Sequence, residues 1–270
     1  MDSAQSDVTR PFLRWAGSKR QIIPILAEYW GSHFSRYLEP FVGSASLFFR
    51  LKPAKAILGD LNAHLMGTYC AVRDDPVAVA RHLRRLAIGR EAYGEIRVRF
   101  NKERDNIRRA AQFIYLNRFC FNGLYRTNLS GEFNVPYGAD KSGSLPTLNE
   151  LRAYALLLKK CYLHAGDFEG LLRKAVRGDF VYMDPPFAVS SRRVFREYDP
   201  NTFDETDVRR LRKQLSILHK HGVRFLVSYA ESEEAEVLAE GFDVQRVYVR
   251  RNIAGFAGRR KKVAELLISN

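Results

Sequence analysis

Along this chain, short apolar runs alternate with longer segments whose apolar positions recur every three or four residues. The runs fall at residues 37–41, 56–59, 161–165, 180–183, 224–229, 244–250 and 263–268, and their length and bounding turn residues predict buried strands. A helix is predicted after Thr202-Phe203-Asp204, where Val208, Leu211, Leu215 and Leu218 fall on one face. Strands alternating with helices predict an α/β fold built on a largely parallel, doubly wound sheet. The alternation breaks between roughly residues 70 and 160, where helical patterns follow one another and Ile107, Ala110, Ala111 and Ile114 make one apolar face. That block reads as a mainly helical insertion, residues 71–147, into an α/β domain of residues 1–70 and 148–270. It ends in a Gly/Asn-rich loop from Phe121 to Gly131.

Composition refines this picture without changing it. With 270 residues, 46% of them hydrophobic, the chain can bury a sizeable core and is not a disordered basic tail. No apolar stretch approaches the roughly 20 residues of a membrane span, and Met1 to Arg10 lacks the apolar segment of a signal peptide. A cytoplasmic protein is expected. Cys70, Cys120 and Cys161 lie far apart with no Cys-x-x-Cys pair, which fits a reducing compartment and argues against a disulfide framework or structural zinc.

The formal charge of +14 is unevenly placed. Residues 81–130 hold 12 Lys/Arg and 4 Asp/Glu, residues 246–262 hold 7 Lys/Arg and no acid, and the rest of the chain nets −1. Concentrated positive charge suggests a polyanion, most often nucleic acid, because every neutralised phosphate releases counterions. A solvated basic helix face explains residues 81–109 equally well by itself.

Three features fall where an open parallel sheet binds ligands, beyond the carboxyl ends of strands. The first, Glu39-Pro40-Phe41-Val42-Gly43-Ser44-Ala45-Ser46, turns through small residues that let a ligand approach the backbone; alone, a tight turn without a ligand is the simpler explanation. The second is Asp60, which ends the next strand and can accept hydrogen bonds from ribose hydroxyls. It could instead cap the helix starting near Asn62. The third is Val181-Tyr182-Met183-Asp184-Pro185-Pro186-Phe187. Two prolines stiffen the chain and remove two donors, so a carboxylate, free carbonyls and an aromatic wall form a rigid pocket suited to a planar amine. A mere turn would need neither Asp184 nor Phe187.

Taken in order, these segments resemble the Dam-type (D12 class, alpha group) DNA adenine-N6 methyltransferases, and the likeness covers most of the chain. Phe12-Leu13-Arg14-Trp15-Ala16-Gly17-Ser18-Lys19 resembles the family's N-terminal cofactor segment, Glu39 to Ser46 its glycine loop and Asp60-Leu61-Asn62 its acidic ribose motif. Asp184-Pro185-Pro186-Phe187 is similar to the catalytic motif. Asn117-Arg118 and Asn122 to Gly138 are similar to the target-recognition region. Three residues depart from the pattern: Ser18 and Ala45 replace glycines, and Phe187 replaces the commoner Tyr. Ala45 restricts the loop if its φ is positive.

The resemblance implies a Rossmann-like methyltransferase sheet that uses S-adenosylmethionine, no metal, and double-stranded DNA as partner. Asp184 and the Pro185 carbonyl would accept the two N6 hydrogens of an adenine flipped out of the duplex and stacked on Phe187, with Pro186 completing the rigid corner. The implied cofactor contacts are Trp15, Lys19, Glu39, Phe41, Gly43, Asp60, Asp167, Phe168 and Asp184. Core packing for Trp15 and Phe168, and helix capping for Lys19, are the alternatives. On the DNA side the likeness implies Arg14, Arg118, Phe121, Asn122, Leu124, Arg126, Asn128 and Pro136, with Phe121 as a wedge in the base stack and GATC as target. A monomer in solution is expected, with a dimer on DNA as the alternative. Two rival readings are a protein glutamine methyltransferase and a non-catalytic DNA-binding descendant; the first needs no recognition block, and the second would have lost Asp60 or Asp184.

Overall fold

Every apolar run forms a strand, in the order β1 (Arg36–Glu39), β2 (Ala56–Asp60), β3 (Cys161–Ala165), β4 (Asp179–Met183), β5 (Arg224–Ala230), β6 (Asp243–Asn252) and β7 (Arg260–Ser269). The computed structural model describes residues 10–17, 19–138, 143–188, 203–252 and 260–270, so Ser18 and residues 253–259 of the basic segment 246–262 lie outside the described residues. β1 is shorter than its apolar run, because Pro40 has no N–H to donate to a neighbour and the chain leaves the sheet there.

The strands make one seven-stranded sheet in the order β3-β2-β1-β4-β5-β7-β6. The first five are mutually parallel, and β7 runs antiparallel between β5 and β6, as a closing hairpin. Successive residues face opposite sides of the sheet, and both sides are buried. Tyr37, Leu58, Phe180, Tyr182, Leu226 and Leu267 join one core, while Leu38, Ile57, Val181, Met183, Phe225, Val227 and Ile268 join the other. A sheet covered on both faces explains why its strands read as continuous apolar runs rather than as alternating ones. This is the doubly wound arrangement the alternation predicts, and it is Rossmann-like, as the resemblance implies.

The second core is covered largely by α9 (Glu205–Lys220), reached after α8 (Phe168–Leu172). Val208, Leu211, Leu215 and Leu218 are all buried, and Asp204 starts the helix as one half of a capping box with Asp207. A last helix, α10 (Glu233–Ala239), packs against α9.

Before β2 come α1 (Ile23–Glu28) and α2 (Ser46–Leu51). The long β2-to-β3 connection holds α3 (Ala63–Asp74), α4 (Pro76–Leu83), α5 (Arg90–Phe100), α6 (Asn106–Phe119), a 3-10 turn at Phe121–Gly123 and α7 (Leu148–Leu158). Ala110, Ala111 and Ile114 are buried on α6 and Ile107 is half-buried. The predicted boundary at residue 71 falls inside α3, which touches both β3 and α6. The helices of this connection share their buried residues with one face of the sheet, so a single apolar cluster runs from Tyr37 to Phe119. Eight of the basic residues from Arg81 to Arg108 are exposed: Arg81, Arg84, Arg85, Arg90, Arg99, Lys102, Arg104 and Arg108. Among the described residues no helix is long and apolar enough to cross a membrane.

Candidate active site

The carboxyl ends of β1 and β4 lie side by side, with Leu38 in register with Val181. From this point the chain proceeds to β2 on one side and to β5 on the other, which makes it the switch point of the sheet, where a crevice opens. Glu39 ends β1, Asp60 ends the adjoining β2, and Asp184 follows β4. Three carboxylates thus meet at one end of the sheet.

Asp60 organises the glycine loop. Its Oδ2 accepts from the Gly43 N–H at 3.0 Å and its Oδ1 from the Asn62 N–H at 2.9 Å. The cap of α3 is Asn62 and not Asp60: the Asn62 Oδ1 accepts from Leu65 N. Burial pushes the Asp60 carboxyl up to about 6, against the backbone N–H groups of Asn62, Gly43 and Leu61, which favour the charged form. Gly43 sits at φ 46, and a Cβ there would come within 2.7 Å of the Trp15 ring; its carbonyl accepts from Tyr69 Oη at 2.7 Å. Ala45 also takes a left-handed conformation, φ 55, which costs an L-residue about 1 kcal/mol. The departure from glycine at this position therefore stores strain at the start of α2. Glu39 is buried and accepts from Tyr37 Oη at 3.0 Å, and burial holds its carboxyl well above the ordinary carboxylate range.

Asp184 lies at the centre of a second cluster. Lys19 Nζ is 3.1 Å from its Oδ1 and also pairs with Glu265, while Ser228 Oγ donates to the same Oδ1 at 3.3 Å. Tyr182 Oη lies 2.9 Å from Ser228 Oγ and extends the chain inward. Burial raises the Asp184 carboxyl to about 6; Lys19 pulls it down, Glu265 pushes it up and the Ser228 hydrogen bond lowers it. Lys19 stays charged in a side chain only 8% exposed, because the two carboxylates outweigh the burial that opposes its ammonium. Beyond Asp184, Pro185 is buried and Pro186 exposed. The Phe187 ring is 41% exposed, edge-on to Tyr229 at 5.5 Å and under the Lys19 ammonium at 5.4 Å. An acceptor, a stiff corner and an open aromatic face thus point into one crevice.

Trp15 joins this crevice to the loop after α6. Its ring covers Gly43 and stacks on Tyr125 with centroids 6.0 Å apart. Asn117 clamps the neighbouring residue: its Oδ1 accepts from Arg14 N and its Nδ2 donates to Arg14 O, both at 2.7 Å. Arg14 Nη1 donates to the Arg118 carbonyl, and Arg118 Nη2 donates to the Phe12 carbonyl. Burial, then the Arg14 charge, depresses the Arg118 guanidinium below its ordinary value. Arg118 is therefore placed as a strut beneath the loop.

The loop itself is a hairpin closed by the Thr127 to Phe133 pairing. Asn128 Oδ1 accepts from Ser130 N and Glu132 N at its tip, and Arg126 Nε donates to Asn134 Oδ1. Pro136 O accepts from Phe121 N at 2.9 Å, and Gly138 approaches Cys120 so closely that a Cβ would meet its carbonyl oxygen at 2.6 Å. Phe121, Asn122, Leu124, Arg126 and Pro136 are all exposed on this rim, and Asn122 takes φ 54.

Asp167 and Phe168 sit beside the carboxyl end of β3. Asp167 caps α8 and pairs with Arg210 at 2.7 Å, and Phe168 is buried between Phe41, Phe203 and the Arg210 guanidinium. Sequence reasoning did not single out Glu265, Ser228, Tyr125 or Asn117 as site residues in their own right. Glu265 had a visible signal, a carboxylate inside the apolar run Val263-Ala264-Glu265-Leu266-Leu267-Ile268, and it is fully buried. A charge in such a place requires a partner, and periodicity does not identify which.

Comparison with known proteins converges on one family. The model of the D12 class N6 adenine-specific DNA methyltransferases matches residues 15–253. The type II methyltransferase M1.LlaDCHI of Lactococcus lactis subsp. cremoris is 32% identical over 97% of this chain and 95% of its own length. The type II methyltransferase M.MjaIII of Methanocaldococcus jannaschii is 34% identical over 97% of this chain and 99% of its own. The DNA adenine methylase of Escherichia coli K12 is 34% identical over 96% of this chain and 94% of its own. The rival readings, a glutamine methyltransferase and a non-catalytic descendant, find no place beside these relatives. The chain therefore belongs to the D12 class N6 adenine-specific DNA methyltransferases and is an adenine-specific DNA methyltransferase.

Proposed function

We propose that the chain methylates the N6 amine of an adenine flipped out of duplex DNA, within GATC, with S-adenosylmethionine as donor. The observation that carries the reading is the pair of half-buried carboxylates, Asp60 and Asp184, at the switch point, one tied to the glycine loop and the other to a stiff Pro-Pro corner beside an exposed ring. The crevice suits that donor. Gly43 leaves a backbone cradle that a Cβ would fill, and Asp60 and Glu39 are acceptors of the kind ribose hydroxyls and an amino group need. Trp15, Lys19, Phe41 and Gly43 would line it, with Asp167 and Phe168 at the adenine end. Bound there, the cofactor supplies an electrophilic methyl group on a sulfonium.

The chain's own groups prepare the amine. The lone pair of adenine N6 is delocalised into the ring, so the nitrogen must be held and polarised. The ionised Asp184 carboxylate and the Pro185 carbonyl accept its two hydrogens, Asp184 is the base at hand for the proton released, and Phe187 stacks on the base. A base inside a duplex cannot reach this crevice, so it must leave the stack, with Phe121 filling the space behind it. Residues 71–147 act as the recognition region on a catalytic body of residues 1–70 and 148–270, and exposed Arg126 and Leu124 supply the base contacts expected for guanine and a thymine methyl. Asn122, Asn128 and Pro136 shape that rim, Arg14 and Arg118 brace it, and the exposed arginines from 81 to 108 grip phosphates. We place the protein in the cytoplasm of a bacterium or a phage-infected bacterium, acting as a monomer.

Two measurements test this reading. Plasmid methylated by the purified protein is expected to resist a nuclease blocked by GATC adenine methylation; complete cutting would overturn the target. The second is the pH dependence. Burial raises Asp60 and Asp184 to about 6, protonated below and charged above, and both must be charged to accept hydrogen bonds at both oxygens. Activity should therefore fall as pH drops through about 6, with log(kcat/KM) approaching a slope of two. A flat profile between pH 5 and 8 contradicts the assigned roles.

A further inference from the structure

Tyr182, Asp184 and Ser228 share one side of the sheet. Side chains two apart on a strand point the same way, and Tyr182 of β4 pairs with Leu226 of β5, so Asp184 and Ser228 each follow by two residues on that side. Tyr182 and Ser228 are buried, and a hydroxyl there needs a partner. Ser228 Oγ has one proton to give and two neighbours, Tyr182 Oη at 2.9 Å and Asp184 Oδ1 at 3.3 Å. An ionised carboxylate only accepts, so the Ser228 proton goes to Asp184 and the Tyr182 hydroxyl donates to Ser228. Burial, and then the Asp184 charge, hold the Tyr182 hydroxyl well above its ordinary value, so it stays protonated and remains a donor. Lys19 Nζ reaches the same Oδ1 at 3.1 Å. Among the described residues no hydrogen bond or ion pair engages Oδ2 of Asp184, whose side chain is 23% exposed at the crevice.

We propose that Tyr182 and Ser228 are positioning residues for methyl transfer: their hydrogen bonds run one way into Oδ1 of Asp184, fix its carboxylate and leave Oδ2 as the oxygen that accepts from the adenine amine. The inference rests on the role proposed above for Asp184 and assigns that role to one atom. Each donor in such a chain polarises the next, so the Tyr182 hydroxyl acts on Asp184 through Ser228. Two hydroxyls serving the core alone would satisfy each other and need no third member, whereas this chain ends on the carboxylate that meets the amine. With two donors already on Oδ1, a proton arriving at Asp184 goes to Oδ2, which then no longer accepts. The other groups facing Asp184 are Lys19, Glu265 of β7, and Tyr37 and Glu39 of β1. All four are unchanged in the Ser228 and Tyr182 variants, so a difference between those variants reports the two hydroxyls.

The test is the single-turnover transfer rate of the full-length chain at saturating S-adenosylmethionine and DNA, followed against pH. Ser228→Ala should lower the plateau rate about tenfold and move the acid limb to higher pH, because the Ser228 hydrogen bond lowers the Asp184 carboxyl. Affinities for donor and DNA should change by less than about twofold. Tyr182→Phe removes one hydroxyl and keeps the packed ring, so it should lower the rate about threefold and move the limb in the same direction. In the Ser228→Ala background it should change neither, since its route to Asp184 is gone. Where Ser228→Ala fails to fold, the limb of Tyr182→Phe alone decides the question. An unmoved acid limb, or losses that add in the double variant, would show a structural role and overturn the proposal. Near-normal transfer by Asp184→Ala, or no transfer by the wild-type chain, would remove the reading of Asp184 itself. A fully active Ser228→Ala beside an inactive Asp184→Ala removes only the positioning pair.

Discussion

Asp184→Ala is expected to slow single-turnover methyl transfer by roughly 10³-fold or more, while binding of S-adenosylmethionine and DNA stays measurable. The size follows from what the carboxylate does. Among the described residues it is the charged acceptor that the Pro-Pro corner presents, held by Ser228 and Lys19 and flanked by the exposed ring of Phe187. Removing it leaves the target amine unpolarised. Near-normal turnover in this variant would sink the assignment. Asp184→Asn adds a second readout. Burial raises the folded carboxyl to about 6, above its value of about 3.9 in an unfolded chain, so ionisation weighs against folding. The stability linked to protonation is fully present below pH 3.9 or so and is lost as pH rises through about 6. Asp184→Asn should therefore melt higher than wild type above pH 6, with the gap closing toward pH 4, and Lys19 keeps Glu265 as its partner. A lower melting temperature at pH 8 would mean that the Lys19 pair stabilises more than burial costs.

Asp60→Asn is expected to weaken cofactor binding by roughly 100-fold with less effect on the rate at saturation, measured as dissociation constants and saturating kcat. The carboxylate accepts two backbone hydrogen bonds, from Gly43 and Asn62. The asparagine side chain offers one acceptor and turns an N–H toward the other donor. The loop it releases carries Gly43 and Ala45, both at positive φ, and this conformation persists only where the surroundings impose it. The ribose acceptor and the loop geometry are thus lost together. Because one of the two acidic groups is gone, the acid limb of kcat/KM should flatten from a slope near two to a slope near one. Unchanged affinity would show that Asp60 serves only the turn.

Much of this was legible in local pattern. All seven strands could be read from apolar runs, since a sheet buried on both faces needs apolar residues at consecutive positions. The face of α9 could be read from its spacing, and the Pro-Pro corner from the absence of two donors. What local pattern misplaced has physical causes. β1 ends before Phe41 because proline cannot pair, and the helix after β2 is capped by Asn62, which frees Asp60 for the glycine loop. The residue types of Phe168 and Arg118 suit ligand contacts and structural braces alike; one packs among aromatic rings and the other donates to the Phe12 carbonyl. Side-chain chemistry is the same in either setting, so only neighbours tell them apart.

By itself the sequence determined the elements, the motif that carries chemistry and the clustering of positive charge, because each depends on residues close together in the chain. Tertiary structure alone decided the strand order β3-β2-β1-β4-β5-β7-β6, which brings Glu39, Asp60 and Asp184 to one end of the sheet. It also decided that the Trp15 ring lies between Gly43 and Tyr125, and that Lys19 meets Asp184 from β4 and Glu265 from β7. Such pairings join residues distant in the chain, and they are set by which faces bury one another when the sheet assembles, a property of the packed whole that no local period encodes.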